Sequence, residues 1–309
     1  MIFPFYHAVT DIAPPHLENL YKIKSLREFE KDLDFLLKHF IPVSISDIMN
    51  FKKKPSKPSF HLSFDDGLRE VCDYIEPLLT RKGVPATFFV NPDFVDNINL
   101  FYRYKASALI HFASSYQKDY WKDFHDYCKQ QILPGKNLKE VCLAIKYADR
   151  NKLDDIAEIM GFSFESYLRE FKPYLSRVQL EGLVRKGFTI GSHSMDHPEY
   201  KNLNGKEMLH QTLQSSGWVK EKFHQKYSLF AFPFSDEGVG SDFFHALGYD
   251  GRPLIDLSFG TAGIKHEQLE KHKQRIPIEG YNLAASSVIF SEYLYYFFKM
   301  PFGKNIIYR

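Results

Sequence analysis

The 309-residue sequence predicts an α/β protein built on a parallel sheet, either open or closed into a barrel. Short apolar segments typical of strands alternate with helical segments along most of the chain, and this alternation favours parallel strands. Hydrophobic residues make up 44% of the sequence and charged residues 25%, so there is enough apolar mass for a large core. A strand is predicted at residues 2–6, and the capping box Ser25-x-x-Glu28 then predicts the start of a helix.

The remaining elements follow from periodicity and from turn residues. Strands at 59–64 and 86–91 flank a helix at 69–82, which gives a β-α-β unit. A basic, proline-containing connector is predicted just before it, at 52–58. Later strands are predicted at 188–191, 229–232, 254–259 and 274–278, and later helices near 176, at 205–225 and at 284–299.

The strand signal disappears between residues 98 and 173, where segments 138–150 and 152–160 carry helical periodicity. We interpret this stretch as a helical insertion in one loop of the sheet. Such an insertion either decorates and stabilises the fold or acts as a lid that shapes a substrate cleft. The chain 1–309 is therefore predicted to be a single domain with a helical insertion at about 98–173.

Charge and composition exclude several classes of partner. Forty Lys and Arg against 38 Asp and Glu leave a net charge of +2, which argues against nucleic acid, an anionic membrane or a polyanionic substrate as the main partner. The sequence shows no signal peptide and no integral membrane segment, and its three cysteines have no metal-type spacing, so we expect a cytoplasmic protein. The most apolar stretch, residues 288–300, predicts a buried C-terminal helix, with peripheral membrane contact as the alternative.

Two segments carry metal-type ligands directly after predicted strands. Asp65 and Asp66 end one strand, and adjacent carboxylates are costly unless a cation or a proton is shared between them. His193 and His197 follow the strand at 188–191, and imidazoles four residues apart can face one metal. The position of these residues at strand ends is more informative than their spacing, because short motifs of this kind also arise by chance.

Together, these segments resemble the polysaccharide deacetylase family of carbohydrate esterases. The similar segments are Phe64-Asp65-Asp66-Gly67, His193-Ser194-x-x-His197-Pro198, Phe232-Pro233-Phe234 as a variant of a third motif, and Tyr6-His7 near the start. The resemblance implies a distorted, incomplete (β/α) barrel of the seven-stranded type. It also implies a metal-dependent hydrolase that removes an acetyl group from an N-acetylated sugar or polysaccharide, so a carbohydrate is the expected partner.

The resemblance also implies roles for individual residues. Asp66, His193 and His197 correspond to the ligands of a divalent metal, usually zinc, and Asp65 corresponds to the general base. The residues expected on the substrate side of the site are His7, Ser194, Pro233 and Phe234.

The sequence departs from the family pattern in two places. Many members have an arginine that pairs with the base where this chain has Ala231, and many have a C-terminal Leu-x-His that supplies the general acid. Arg275 is our candidate for the missing arginine, because a barrel brings its first and last strands together; a surface arginine is the alternative. His266 and His272 lie upstream of Arg275, and the sequence does not single out a proton donor.

Two other functions fit the same motifs less well. One is a metal-dependent amidase that acts on another amide substrate, and the other is a non-catalytic sugar-binding relative. The presence of both Asp65 and Asp66 with both histidines favours an enzyme, since binding alone requires no base beside a metal.

Overall fold

The central sheet of the computed structural model, which describes residues 1–50, 57–280 and 283–309, has eight strands, each parallel to its neighbours. In chain order the strands are β1 (Pro4–Tyr6), β2 (Ile41–Pro42), β3 (Ser59–Phe60), β4 (Leu62–Phe64), β5 (Ala86–Val90), β6 (Thr189–Ser192), β7 (Leu229–Ala231), β8 (Leu257–Gly260), β9 (His266–Glu267), β10 (His272–Gln274), β11 (Ile276–Pro277) and β12 (Ile306–Ile307). The order across the central sheet is β10-β8-β7-β6-β5-β4-β1-β11. The pairs β2–β3 and β9–β12 form two small sheets of their own.

The barrel nearly closes where the chain crosses from one sheet edge to the other. The edge strands β10 and β11 are separated only by Arg275, whose N–H donates to the Gly260 carbonyl of β8 at 3.2 Å. The next residue, Ile276, donates to the Phe3 carbonyl at 2.9 Å. The predicted distorted, incomplete barrel is confirmed. It has eight strands and not seven, because the single strand expected at 274–278 is divided between the two edges at Arg275.

Helices surround the sheet and fill the predicted insertion. They are α1 (Leu26–His39), α2 (Ile45–Asn50), α3 (Glu76–Lys82), α4 (Tyr102–His111), α5 (Lys118–Gln130), α6 (Leu138–Ala144), α7 (Lys152–Ile159), α8 (Phe164–Phe171), α9 (Arg177–Arg185), α10 (Gly205–Phe223), α11 (Ser241–Ala246) and α12 (Ala285–Lys299). Helix α1 begins at the predicted capping box, in which Ser25 and Glu28 bond reciprocally, an arrangement worth about 1 kcal/mol. Residues 52–56 of the predicted connector lie outside the described residues.

The barrel and the insertion have separate apolar cores. The barrel core includes the stacked rings of Tyr6, Phe64 and Phe88 on neighbouring strands. Helices α4 to α8 of the insertion pack around a second core, which Leu17 and Leu68 from the barrel side extend. The insertion is therefore attached to the barrel by apolar contacts, and its helices stand beside the strand ends.

The C-terminal helix differs from expectation. Only its first turns are buried, through Ala285, Val288 and Ile289, which pack with the barrel core. Because no described element covers the second half of the helix, Phe298 is 74% exposed, and the prediction of a fully buried helix is wrong there. Among the described residues, no helix combines the length and the apolar character needed to traverse a bilayer.

Candidate metal centre and active site

The sequence-predicted site residues lie at the carboxyl ends of the parallel strands. These ends meet at one rim of a barrel, where loops can bring residues distant in sequence together. The rim surrounds a cavity of about 550 Å³. The residues that reach its wall from the strand ends are His7 after β1, Asp65 and Asp66 after β4, His193 and His197 after β6, and Phe232 and Phe234 after β7.

The three proposed metal ligands converge on one point. Asp66 Oδ1 lies 3.2 Å from His197 Nε2 and 3.5 Å from His193 Nε2. One potential ligand atom from each residue lies within 4.8 Å of the others, and all three side chains are buried. The structure thus assembles a carboxylate and two imidazoles with their coordinating atoms turned toward each other.

The protonation of these groups suits a divalent cation. His193 Nδ1 donates to the Ala231 carbonyl at 2.8 Å, which leaves the lone pair on Nε2. Burial lowers the pKa of His193 to about 4, so its ring is neutral at pH 7. Burial opposes ionisation of Asp66, but the attraction of His197 and His7 outweighs it and holds the pKa of Asp66 well below its ordinary value. Among the residues that the structure describes, Asp66 Oδ1 has no hydrogen-bond partner, and a cation is what such a buried, ionised oxygen requires.

The second oxygen of Asp66 is held by the insertion. Tyr104 of α4, which is buried, donates its hydroxyl to Asp66 Oδ2. A hydrogen bond to one carboxylate oxygen orients the other, as is usual for metal ligands. No sequence pattern pointed to Tyr104, because the bond joins two segments that only the packing of the insertion brings together.

The histidine loop is bent by left-handed backbone at residues that are not glycine. Ser194 has φ 65° and His197 has φ 63°, a conformation that costs about 1–3 kcal/mol at each residue unless the surroundings hold it. Asn91, directly after β5, donates from Nδ2 to the carbonyls of His193 and Ser194, and the His197 N–H donates to Ser194 Oγ at 3.1 Å. These bonds hold both imidazoles on one side of the loop. Ser194 is fully buried, and its role toward substrate stays a prediction.

Arg275 and Asp65 form a bidentate ion pair. Arg275 Nη1 lies 2.7 Å from Asp65 Oδ1, and Nη2 lies 2.8 Å from Oδ2, with both side chains buried. Burial opposes ionisation of Asp65, but the guanidinium outweighs it and keeps the pKa of Asp65 below its ordinary value. Asp65 Oδ2 is 3.8 Å from His193 Nε2, so this oriented carboxylate stands directly beside the ligand cluster.

The barrel closure holds the guanidinium in place. Arg275 Nε donates to the Gly260 carbonyl at 3.3 Å, and Nη1 also donates to Ser63 Oγ at 3.2 Å. The rings of Phe5 and Phe89 flank it, with the guanidinium carbon 4.2 and 5.3 Å from their centroids. A planar cation fixed on all sides can hold a carboxylate in one orientation.

His7 adds a protonated group to the same cavity. Its Nδ1 lies 2.9 Å from Glu279 Oε2, and the same carboxylate accepts the N–H groups of His7 at 2.6 Å and Ala8 at 3.0 Å. Burial opposes the charge, but the hydrogen bond to Glu279 and the nearby aspartates raise the pKa of His7 to about 9. The ring is 28% exposed and lines the cavity. Glu279 was not predicted, although an acid two residues after the last strand was a visible signal.

Aromatic side chains form the wall next to His197. The ring centroids of Phe101 and Phe234 lie 4.4 and 4.7 Å from that of His197. Phe234 is 41% exposed at the cavity, whereas Pro233 beside it is buried. Phe101 precedes α4, so the insertion contributes to this wall as well.

His272 does not reach the cavity. Its Nε2 lies 3.0 Å from Asp236 Oδ2, and its Nδ1 lies 2.7 Å from Ser258 Oγ. Arg309 bonds to both Asp236 and Glu267, and the amide of Gln274 donates to Asp236 at 2.8 Å. Asp236, Glu267 and His272 are also residue types that could bind a metal. Their carboxylate oxygens, however, already have hydrogen-bond partners.

The fold and site define a parallel barrel with a candidate divalent-metal centre at its strand ends and an ionised carboxylate beside it. The family model for polysaccharide deacetylase matches residues 52–249, which is more than half of the chain. The chain therefore belongs to the polysaccharide deacetylase family, as its motifs predicted, and a divalent metal is the cofactor on which this family depends.

Solved structures share the fold across nearly the whole chain. A deacetylase from Streptococcus pyogenes, PplD in complex with acetate, is 13% identical with a TM-score of 0.57, and the match covers 94% of this chain and 97% of that one. A de-N-acetylase from Aggregatibacter actinomycetemcomitans is 16% identical with a TM-score of 0.57, over 94% and 98% of the two chains. IcaB from Ammonifex degensii is 16% identical with a TM-score of 0.54, over 94% and 96%. The search of curated proteins found no match.

Proposed function

We propose that the chain is a metal-dependent deacetylase that hydrolyses the acetamide bond of N-acetylated sugar units in a polysaccharide. The observation that carries this proposal is the Asp65–Arg275 pair directly beside the Asp66–His193–His197 cluster. A sugar-binding relative would have no use for an ionised carboxylate oriented next to a metal centre.

We infer that the metal is zinc, held by Asp66, His193 and His197. Mixed nitrogen and oxygen ligands from three residues are typical of catalytic zinc, which keeps a coordination position open. When bound, the ion supplies Lewis acidity toward the attacking water and the acyl oxygen. Tyr104 and the Ala231 carbonyl orient two of the ligands through hydrogen bonds.

Asp65 is proposed as the general base. Its ionised carboxylate accepts the proton of the attacking water, and Arg275 keeps both oxygens in a fixed orientation while this occurs. The guanidinium also keeps the carboxylate ionised before the reaction, since it lowers the pKa of Asp65. Arg275 is therefore a positioning residue that acts through Asp65.

His7 is proposed as the proton donor to the leaving amine. Its ring is protonated at pH 7, and Glu279 occupies Nδ1, which leaves Nε2 as the donor toward substrate. In this role His7 would replace the histidine of the C-terminal Leu-x-His motif, which the sequence lacks. Asp65 and His7 thus form an acid and base pair whose environments push their pKa values apart.

We also propose that the chain is one barrel domain whose insertion at about 98–173 shapes the substrate cleft. The insertion places Phe101, Arg103, Tyr104 and Leu143 in the cavity wall. The exposed ring of Phe234, whose centroid lies 6.0 Å from that of the buried Phe101, presents an apolar face on which a pyranose ring can stack.

The experiment that tests the proposed function is acetate release from N-acetylglucosamine oligomers by the zinc-loaded chain. We expect turnover with zinc, loss of turnover after chelation, and recovery when zinc is restored. Asp65→Asn serves as the matched control, because it keeps the shape of the side chain but cannot take a proton.

Two other results would replace the proposal. Release of a different acyl or amide group, with no acetate from the sugar, would indicate an amidase. Tight binding of the oligomers without any zinc-dependent turnover would indicate a sugar-binding protein.

A further inference from the structure

We propose that the exposed half of α12 and the turn after it bind the surface of an anionic lipid bilayer. We call this surface the aromatic patch, and its residues are Phe290, Tyr293, Leu294, Tyr295, Phe297, Phe298, Met300 and Phe302. The helix would lie in the interface with its apolar side chains inserted and would not cross the bilayer.

The patch exposes far more apolar surface than scattered surface residues do. Phe290 is 64% exposed, Phe298 is 74% exposed and Phe302 is 75% exposed, and their neighbours along the segment are exposed as well. Contiguous apolar surface of this kind marks an interaction site in a stable protein. Phenylalanine, tyrosine and leucine are also the residues that interfacial helices insert between lipid headgroups and acyl chains.

The exposed apolar residues occupy a wider arc of the helix circumference than a packed protein partner would cover. At about 100° per residue, the run from Tyr293 through Phe297 and Leu294 to Tyr295 spans roughly 200° of the helix circumference. A rigid partner that packs against a helix covers a stripe of about 100°. A fluid layer can cover more than half of the circumference, because lipids rearrange around the inserted side chains.

The charges around the patch complement an anionic surface. From residue 293 to residue 309 the sequence has no Asp or Glu, while Lys299 and Lys304 lie within this segment. The one acid of α12, Glu292, turns inward and accepts the N–H of Ile264 at 3.2 Å. Lys299 lies over the ring of Tyr295 at 4.9 Å, which places a cation beside the apolar surface.

The helix is anchored to the barrel at its other end. Asp32 of α1 accepts the N–H of Ala285 at 2.7 Å, and Lys24 donates to the Leu283 carbonyl at 2.9 Å. The patch is therefore presented on a preformed helix. Binding would not have to order the helix first, and this reduces its entropic cost.

Vesicle co-sedimentation of the full chain tests the proposal. The vesicles are phosphatidylcholine alone, or phosphatidylcholine with an equal amount of phosphatidylglycerol. We expect binding to the anionic vesicles that weakens as salt rises. The variant Phe297→Ser/Phe298→Ser should bind about 100-fold more weakly, at about tenfold for each ring.

The control variant Ile132→Ser/Val178→Ser also removes two exposed apolar side chains, 88% and 70% exposed, at positions outside α12. It should bind anionic vesicles like the wild type. Lys299→Gln/Lys304→Gln should weaken binding to anionic vesicles by about thirtyfold and leave binding to phosphatidylcholine unchanged. Because the patch is not part of the catalytic site, Phe297→Ser/Phe298→Ser should keep wild-type acetate release from free oligomers, which also shows that it is folded.

Failure of the wild type to sediment with anionic vesicles would overturn the proposal. Equal binding by Phe297→Ser/Phe298→Ser and the wild type would overturn it as well. A concentration-dependent dimer that the same variant dissociates, without vesicle binding, would identify a second copy of the chain as the occupant and would also overturn it.

Discussion

Two buried clusters with the same kinds of side chain occupy the barrel, and they differ in how completely their hydrogen bonds are made. The cluster that we propose to be catalytic, called the catalytic cluster below, comprises Asp65, Asp66, His193, His197 and Arg275. The C-terminal cluster comprises Asp236, Glu267, His272, Gln274 and Arg309. Each contains two acids, at least one histidine and an arginine, so composition alone does not tell them apart.

The partners of the carboxylate oxygens distinguish the two clusters. In the C-terminal cluster, Asp236 accepts bonds from Arg309, His272 and Gln274 on one oxygen and from the Thr261 N–H at 3.1 Å on the other. In the catalytic cluster, Asp66 Oδ1 has no such partner within the described part of the chain, and Asp66 lines the cavity. A saturated cluster stabilises a fold, whereas an ionised oxygen left free beside a cavity is available for a cation.

The largest expected effect is a loss of kcat when an acid of the catalytic cluster is changed, whereas the same change in the C-terminal cluster should affect stability. Asp65→Asn should reduce kcat for acetate release by about 10³-fold, because the amide cannot accept the proton of water, and zinc content should be unchanged. The equivalent change in the C-terminal cluster, Asp236→Asn, should lower the free energy of unfolding and leave kcat of the folded protein nearly unchanged. For both variants, kcat is measured by steady-state kinetics, bound zinc by metal analysis, and the free energy of unfolding by denaturant titration. Equal kinetic losses in the two variants would contradict the distinction between the clusters.

Substitution of Arg275 should reduce catalysis, whereas substitution of Arg309 should reduce stability. Arg275→Ala should reduce kcat by about 10²-fold, because Asp65 loses its orientation. Arg275→Lys keeps the positive charge but not the planar guanidinium. This variant should therefore fold, and its kcat should still fall by about tenfold. Arg309→Ala should instead cost about 3 kcal/mol of stability, since it removes the guanidinium that pairs with the buried carboxylates of Asp236 and Glu267. Full activity in a folded Arg275→Lys variant, measured under saturating substrate, would remove Arg275 from its proposed role.

A smaller effect is expected from the tyrosine that bonds to Asp66. Tyr104→Phe should weaken zinc binding by about tenfold, because one carboxylate oxygen loses its orienting hydrogen bond. Tyr249→Phe is the matched control, since Tyr249 donates to Ser258, which bonds to His272 in the C-terminal cluster. Competition with a zinc chelator gives both affinities. The prediction fails if the two variants bind zinc equally well.

The smallest effect concerns the pH profile. Glu279 raises the pKa of His7, and the protonated ring is the proposed donor, so kcat/KM should fall as pH rises through the pKa of His7. Glu279→Gln removes the carboxylate that favours the charged ring. The alkaline limb should therefore move to lower pH by about 1 unit or more, as measured by kcat/KM across the pH range. A limb that stays in place, or moves to higher pH, would exclude His7 as the group that titrates there.

Strand-end motifs made much of this site predictable from the sequence. Asp65, Asp66, His193 and His197 follow strands of a parallel sheet, and the carboxyl ends of such strands meet at one rim. The same rule applies to Asn91, which directly follows β5 but was not singled out, because a lone amide is a weaker signal than a histidine or a pair of acids.

Contacts that depend on packing were not predictable. Tyr104 reaches Asp66 only because the insertion packs beside the strand ends, and no local pattern encodes that approach. The eighth strand arises because the chain crosses the barrel seam at Arg275, whereas periodicity describes the same residues as one strand. The exposure of α12 also escaped prediction, since an apolar helix is normally buried and the sequence does not show which elements cover it.

Zinc stoichiometry in matched variants of the two clusters tests the central claim most directly. The claim is that the catalytic cluster, and not the C-terminal cluster, holds the metal on which deacetylation depends. The metal-free chain should take up one zinc per molecule in the wild type and in Asp236→Asn, and should bind none tightly in Asp66→Asn, which should also release no acetate. Retention of one tightly bound zinc by Asp66→Asn, or its loss from a folded Asp236→Asn, would contradict the claim.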